Sequence, residues 1–140
     1  MALLEVICAN LISLFVISTP SISSPWAEDF PNLDLNKNYD LVIVAYGEEP
    51  YAEGIGDRKN LFYRDSKTLN TLKRLKRNGN KVVSIFFTGR PLWTNEFINL
   101  SDAFVVAWLP GTESRGMTDV LVANEDGSVN YDFQGKLPFS

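Results

Sequence analysis

The chain has 140 residues, of which 45% are hydrophobic and 21% are charged, a composition typical of globular proteins and not of disordered or fibrous ones. Its net charge of -4 argues against a nucleic-acid partner, because binding to phosphates needs clustered cations. The absence of histidine and the single cysteine, Cys8, exclude an internal disulfide, histidine-dependent nucleophilic catalysis and the usual zinc sites. A dinucleotide-binding fingerprint and a P-loop are also missing from the sequence. We therefore expect neither a metal nor a cofactor. Because histidine is absent, carboxylates are the side chains left for acid/base chemistry.

Residues 1–25 begin with a mostly apolar stretch that is followed by a serine-rich run, the general arrangement of a signal-peptide core. No Lys or Arg precedes the stretch, and it is short for a membrane span, which needs about 20 apolar residues. An export signal, a buried helix and the artefact of a truncated reading frame are all open, and there is no firm evidence for a membrane. Residues 26–38, with Pro, Asn, Asp and Lys, are predicted to form a linker.

Residues 39–140 alternate short apolar runs with helical patterns. Three of the runs are continuous and rich in β-branched residues, which indicates buried strands of a parallel sheet. These runs cover residues 41–45, 82–87 and 103–108. A weaker run at residues 129–133 is predicted to be an edge strand.

Helical segments separate these strands. Leucines at helical spacing lie between a capping candidate, Asp65 or Ser66, and an Asn-Gly stop signal, which predicts a helix at Ser66–Arg77. Further helices are predicted at residues 94–99 and 117–121. The order of strands and helices indicates an α/β fold, a partial three-layer sandwich with a mostly parallel, flavodoxin-like sheet.

All strands of a parallel sheet point the same way, so the loops after the three strands gather at one edge, where open α/β sheets bind ligands. The loop of residues 46–58 is rich in carboxylates, the loop of residues 88–93 contributes Arg90, and the loop of residues 109–115 contributes Glu113. Carboxylates that exchange protons, arginines that hold them and aromatic rings that stack on sugars suit a carbohydrate site. An ordinary polar surface is the competing interpretation of the same residues.

Four motifs occur in order along this part of the chain. They are Gly47-Glu48-Glu49-Pro50-Tyr51-Ala52-Glu53-Gly54 with Gly56-Asp57, then Gly89-Arg90-Pro91, then Ala107-Trp108-Leu109-Pro110-Gly111-Thr112-Glu113, and finally Gly135-Lys136-Leu137-Pro138-Phe139. The series closely resembles family 3 glycoside hydrolases, in particular the branch with plant exo-β-glucanases and bacterial β-glucosidases. The resemblance identifies residues 39–140 as part of the C-terminal α/β sandwich domain of such an enzyme.

In that family a (β/α)8 barrel supplies the aspartate nucleophile, and the α/β domain supplies the general acid/base. The resemblance implies a retaining mechanism, in which two carboxyl groups form and break a covalent glycosyl-enzyme. It also implies a β-glucoside or β-glucan oligosaccharide as substrate, a barrel domain as partner in full-length relatives, and a secreted, extracellular or periplasmic location. The chain is then expected to be a fragment with the acid/base loop and without the nucleophile, inactive when isolated.

The same resemblance assigns the site residues. Glu53 is the expected acid/base, and Glu48 is a second candidate that more simply orients the loop or the partner chain. The other candidates are expected to contact substrate or to brace the loop and the strand ends; they are Tyr51, Asp57, Arg58, Arg90 and Glu113. A flavodoxin-like module that binds carbohydrate or a partner without catalysis is the alternative hypothesis.

Overall fold

The computed structural model of the chain describes residues 14–18, 34–54, 56–113 and 115–136. Most of the predicted leader, including Cys8, and part of the predicted linker lie outside these residues. The chain divides after Trp108 into two compact units.

In the part of the first unit that the structure describes, four parallel strands form one sheet. They are β1 (Leu14–Ser18), β2 (Leu41–Gly47), β3 (Val82–Phe87) and β4 (Ala103–Trp108), and their order in the sheet is the order in the chain. Every neighbouring pair is parallel. The predicted α/β fold with a parallel sheet is therefore confirmed.

Strand β1 was not predicted from the sequence. It lies inside the apolar stretch at the start of the chain and pairs with β2, so that Leu14 is opposite Leu41 and Ser18 is opposite Ala45. An apolar run of this kind does not distinguish a strand from a buried helix, and only the edge of a neighbouring strand selects the extended form. The interpretation of residues 1–25 as a leader stays a prediction.

Within the described residues the chain forms three helices: α1 (Ser66–Arg77), α2 (Asn95–Ile98) and α3 (Arg115–Leu121). Asp65 caps α1, because its Oδ1 accepts a hydrogen bond from a backbone N–H of the first turn at 3.0 Å. Directly beyond α1, Gly79 has a φ of +78°, a left-handed conformation that favours glycine. The three predicted helices are confirmed, with their ends within one or two residues.

The core of the first unit contains a cluster of four aromatic rings. The Tyr63 ring lies 4.8 Å from the Phe86 ring and 4.9 Å from the Phe97 ring, and Tyr46 stands 5.5 Å from Phe97. The aliphatic part of the core comes from β2, β3, α1 and the segment after β3, as Val42, Val44, Leu72, Leu75, Val82 and Leu92. This packing fixes the carboxyl end of β2, from which the loop rich in carboxylates leaves.

Two expectations about strands need correction. The residues of β4 are half-buried or exposed, not fully buried, because β4 is the last strand of the sheet among the described residues. The predicted strand at residues 129–133 is wrong: Val129, Tyr131 and Phe133 are 70%, 62% and 58% exposed, and this segment pairs with no strand that the structure describes. Alternating hydrophobicity makes a strand only where a partner supplies hydrogen bonds.

Candidate active-site loop at the carboxyl edge of the sheet

The carboxyl ends of β2, β3 and β4 lie side by side. Gly47 is opposite Phe87, and Phe87 is opposite Trp108. Hydrogen bonds continue past these ends, because Glu48 N donates to Phe87 O at 3.0 Å and Thr88 N donates to Trp108 O at 3.3 Å. The first residues of the loops after β2 and β3 therefore stand next to each other, as the topology predicted.

Gly47 occupies a position where no side chain fits. A Cβ atom there would lie 2.3 Å from Phe87 O, far inside van der Waals contact. The carbonyl oxygen of Gly47 also accepts a hydrogen bond from the buried Tyr63 hydroxyl at 2.9 Å. Glycine thus lets β2 approach β3 closely at the point where the loop begins.

Glu48 is the anchor at the base of the loop, with a side chain only 8% exposed. Its Oε1 accepts hydrogen bonds from Arg90 Nη2 at 2.9 Å, from Arg90 Nε at 3.1 Å and from Arg58 Nη1 at 3.4 Å. Its Oε2 accepts from Thr88 Oγ1 at 2.7 Å. A carboxylate this buried is tolerated because both oxygens have donors and two guanidinium groups balance its charge.

Arg90 extends this network to the far side of the loop. Its Nη1 donates to the carbonyl oxygen of Gly56, and its guanidinium carbon lies 4.1 Å from the centre of the Tyr51 ring, a cation–π contact. A Cβ atom on Gly56 would meet that same ring at 2.3 Å. The hydrogen bond with Glu48 raises the pKa of Arg90 above its ordinary value, an effect that desolvation only partly opposes, so Arg90 stays charged.

Glu53 lies at the tip of the loop, in a tight turn. Gly56 N donates to Ala52 O at 2.9 Å and Asp57 N donates to Gly54 O at 3.2 Å, while Gly54 has a φ of +82°. The Glu53 side chain is exposed, and no described residue forms a hydrogen bond or an ion pair with its carboxylate. The turn therefore holds the backbone and leaves this carboxylate open to an external group.

Arg58 and Asp57 differ in what they contribute to the loop. Arg58 bonds Glu48 through Nη1 and donates its Nη2 to Phe62 O at 2.7 Å. The backbone N–H of Asp57 closes the turn, and the negative charge of its side chain contributes to raising the pKa of Arg90. The roles that the sequence assigned to these residues stay predictions.

Glu113 belongs to the second compact unit. Its backbone N–H donates to Pro110 O at 2.9 Å, and its Oε1 accepts from Thr112 Oγ1 at 3.4 Å. Whether its carboxylate joins the edge with Glu48 stays a prediction.

Thr88 is a site residue that the sequence reasoning missed. Its hydroxyl lies within hydrogen-bonding distance of Glu48 and of Arg90 O, at 2.7 and 2.8 Å, and it also accepts from Arg90 N at 3.2 Å. A signal for it was present, because Thr88 directly follows β3 just as Glu48 directly follows β2. Residues that directly follow two paired parallel strands at matching positions lie next to each other.

Two further observations concern ligands and membranes. Among the residues that the structure describes, no group of three or more Asp, Glu or Cys side chains could hold a metal ion. None of the helices in that part of the chain has the length and apolarity that crossing a bilayer requires.

The comparison with known protein families agrees with this arrangement of loop and sheet. Residues 22–140 match the glycosyl hydrolase family 3 C-terminal domain. The chain belongs to this family. The family prediction from the motifs is thus confirmed.

Two relatives are named as β-glucosidases. The chain is 30% identical over 106 residues to the periplasmic beta-glucosidase of Salmonella typhimurium, a match that covers 74% of this chain and 13% of that protein. It is 30% identical over 110 residues to the lysosomal beta glucosidase of Dictyostelium discoideum, covering 77% of this chain and 12% of that protein. The chain therefore spans about an eighth of the length of these relatives, both of which are named for compartments outside the cytosol.

A solved structure shows the same fold. The exo-1,3/1,4-beta-glucanase ExoP from a Pseudoalteromonas species is 48% identical and superposes with a TM-score of 0.68 over 72% of this chain, which is 13% of that enzyme. The relation to the C-terminal domain of the β-glucosidase and β-glucanase family therefore rests on both sequence and structure.

Proposed function

We propose that the loop of residues 46–58 supplies the general acid/base of a retaining, β-glucosidase-like exo-hydrolase, with Glu53 as the residue that exchanges the proton. One observation carries the proposal. The three glutamates of this loop differ in environment: the Glu48 side chain is 8% exposed and bonded to two arginines and a threonine, whereas Glu49 and Glu53 are exposed and have no partner among the described residues. Of these two, only Glu53 lies at the tip of the turn, and it is also the residue that the family resemblance assigns.

Glu48 is engaged in holding the loop. Its Oε1 accepts hydrogen bonds from Arg90 and Arg58, and its Oε2 accepts one from Thr88, so both oxygens face groups of the protein. Because the Glu48 side chain is buried at the base of the loop, an external sugar does not reach its carboxylate. Its role in this proposal is to hold the loop in position.

Glu53 meets the requirements for the acid/base. As a carboxylic acid it donates its proton to the oxygen of the departing sugar while a nucleophile attacks the anomeric carbon. As a carboxylate it then takes a proton from the water that hydrolyses the glycosyl-enzyme. In this proposal a (β/α)8 barrel domain supplies the nucleophile, about 5 to 5.5 Å from Glu53 as in retaining enzymes.

The names of the relatives support the substrate and the location. Two are named β-glucosidases and one an exo-β-glucanase, so the substrate class is a β-glucoside or a β-glucan oligosaccharide. Two are named periplasmic or lysosomal, which supports a location outside the cytosol.

A chimeric enzyme tests the acid/base role. The matched segment of the Pseudoalteromonas exo-glucanase, 48% identical to this chain, is replaced by the corresponding residues of this chain, and Glu53→Gln and Glu48→Gln are made in the chimera. Glu53→Gln should lower kcat/KM for a glucoside with a poor leaving group by about 10²–10⁴, and much less for 2,4-dinitrophenyl β-glucoside, which needs no protonation.

Glu48→Gln is the matched control on the same loop. It should lower activity toward both substrates by the same factor, because it loosens the loop without removing the proton donor. If Glu53→Gln showed no dependence on the leaving group, or if Glu48→Gln showed it instead, the assignment would be wrong.

A further inference from the structure

Phe62 and Trp93 form an exposed aromatic pair. Their ring centroids lie 6.1 Å apart, their planes are inclined by 52°, and the residues are 50% and 59% exposed. Tyr63 and Leu92, which follow and precede them in the sequence, are buried in the core, whereas Leu61, on the other side of Phe62, is also 50% exposed. The aromatic pair is therefore additional to the core, with its rings open to solvent.

The backbone holds the aromatic pair in place. Phe62 and Trp93 form an isolated parallel bridge, in which Trp93 N donates to Leu61 O at 2.7 Å and Tyr63 N donates to Trp93 O at 3.1 Å. Two chain segments are thus tied together at the point where the rings emerge. A surface ordered before binding loses less entropy when a ligand arrives.

The aromatic pair lies on the edge that carries the acid/base loop. Phe62 lies between the loop of residues 46–58 and the start of α1, and Trp93 lies between β3 and α2, so both follow carboxyl ends of strands. Arg58 links the two features, because it donates to Phe62 O at 2.7 Å and to Glu48 Oε1 at 3.4 Å. The rings and the proposed catalytic loop therefore share one hydrogen-bonded support.

The area of the aromatic pair favours a small occupant. An aromatic side chain buries about 150–250 Å² when fully covered, and roughly half of each ring is exposed, so the pair offers on the order of 200 Å². A stable protein interface needs about 800 Å² on each partner. Even with the half-exposed Leu61 beside it, the aromatic pair offers far less than this area, but its two rings are large enough to cover the faces of one or two sugar units.

We infer that the aromatic pair is a binding platform for a β-linked glucan chain that extends from the loop of Glu53. The substituents of a β-glucopyranose ring are equatorial, so its C–H groups form apolar faces that pack against aromatic rings while its hydroxyls stay in water. The inference rests on the proposed function, which supplies the sugar class. The aromatic pair adds a contact with a part of the glucan chain that is remote from the cleaved glycosidic bond.

Affinity electrophoresis of the full chain tests the platform. The chain is run through native gels with soluble barley β-glucan, with α-linked dextran or with no polysaccharide. β-Glucan alone should retard it, and Trp93→Leu and Phe62→Ala should each weaken that binding roughly tenfold, equivalent to about 1.4 kcal/mol. Tyr131→Ala is the control, because Tyr131 is 62% exposed and lies in the other compact unit; it should bind like the unsubstituted chain. Circular dichroism checks that each variant is folded.

Absence of retardation in the unsubstituted chain, or full retardation of both variants, would overturn the inference. The electrophoresis measures binding without turnover, so its outcome is separate from the leaving-group test of Glu53. Where a variant does not fold alone, the chimeric enzyme decides: Trp93→Leu should raise KM more for a long laminari-oligosaccharide than for an aryl β-glucoside. Equal changes for both substrates would contradict the platform.

Discussion

Glu48→Gln should destabilise the protein, whereas the same change at the adjacent Glu49 should not. Glutamine keeps the shape of Glu48 but removes its charge, so the three hydrogen bonds from Arg90 and Arg58 become neutral-acceptor bonds. Glu49 is exposed and has no hydrogen bond or ion pair with the described residues. The two substitutions alter the net charge equally, and only the one at Glu48 disturbs the network.

The magnitude follows from the loss of the negative partner of two guanidinium groups, which keep their own charge. Removing one partner of a fully buried ion pair costs about 3–5 kcal/mol. Because the Arg90 and Arg58 side chains are 20% and 31% exposed, water compensates part of this cost, and we expect a loss of about 2 kcal/mol in the free energy of unfolding of the Glu48→Gln variant. For a chain of this size that corresponds to a decrease in Tm of about 8 °C.

Urea and thermal denaturation, followed by circular dichroism at neutral pH, measure the effect on the full chain. We expect the Glu49→Gln control to stay within about 0.5 kcal/mol of the unsubstituted chain, as exposed substitutions usually do. Equal stability of the two variants would refute the view that Glu48 anchors the loop. A large loss for Glu49→Gln would show that net charge, and not the Arg90 network, is the cause.

Three further predictions concern the core, pH and activity. Leu72→Ala, at a position with 0% exposure in α1, should lower the free energy of unfolding by about 2–5 kcal/mol, measured by urea denaturation; a loss below about 1 kcal/mol would contradict the core packing. Hydrogen bonds from Lys76 and from the backbone N–H of Val82 lower the pKa of Asp102, so its stabilisation is full above its unfolded pKa of about 4 and is lost as the pH falls through the lower folded value. The stability difference between the unsubstituted chain and Asp102→Asn should accordingly shrink below pH 4, and a difference independent of pH would exclude this role. Finally, a polypeptide of these 140 residues alone should not hydrolyse an aryl β-glucoside, and turnover in an assay of this purified polypeptide would contradict the proposed division of the active site between two domains.

Much of the fold was predictable because its signals are local. Asp65 and Gly79 define the ends of α1 through contacts within one or two turns, and continuous apolar runs identified β2, β3 and β4. The parallel order of these strands then placed their following loops at one edge. The hydrophobic pattern of the sequence failed where strand pairing decides whether a strand forms. Residues 14–18 form a strand that pairs with β2, whereas residues 129–133 form no strand.

The sequence by itself determined that carboxylates would carry any acid/base chemistry, and its motifs indicated the family. It did not separate the environments of Glu48 and Glu53, which are the same residue type on one loop. Only the tertiary structure decided which is buried, because Thr88 and Arg90 reach Glu48 from the end of the next strand, 40 and 42 residues along the chain. Glu53, at the tip of the turn, lies beyond those donors and keeps its carboxylate open.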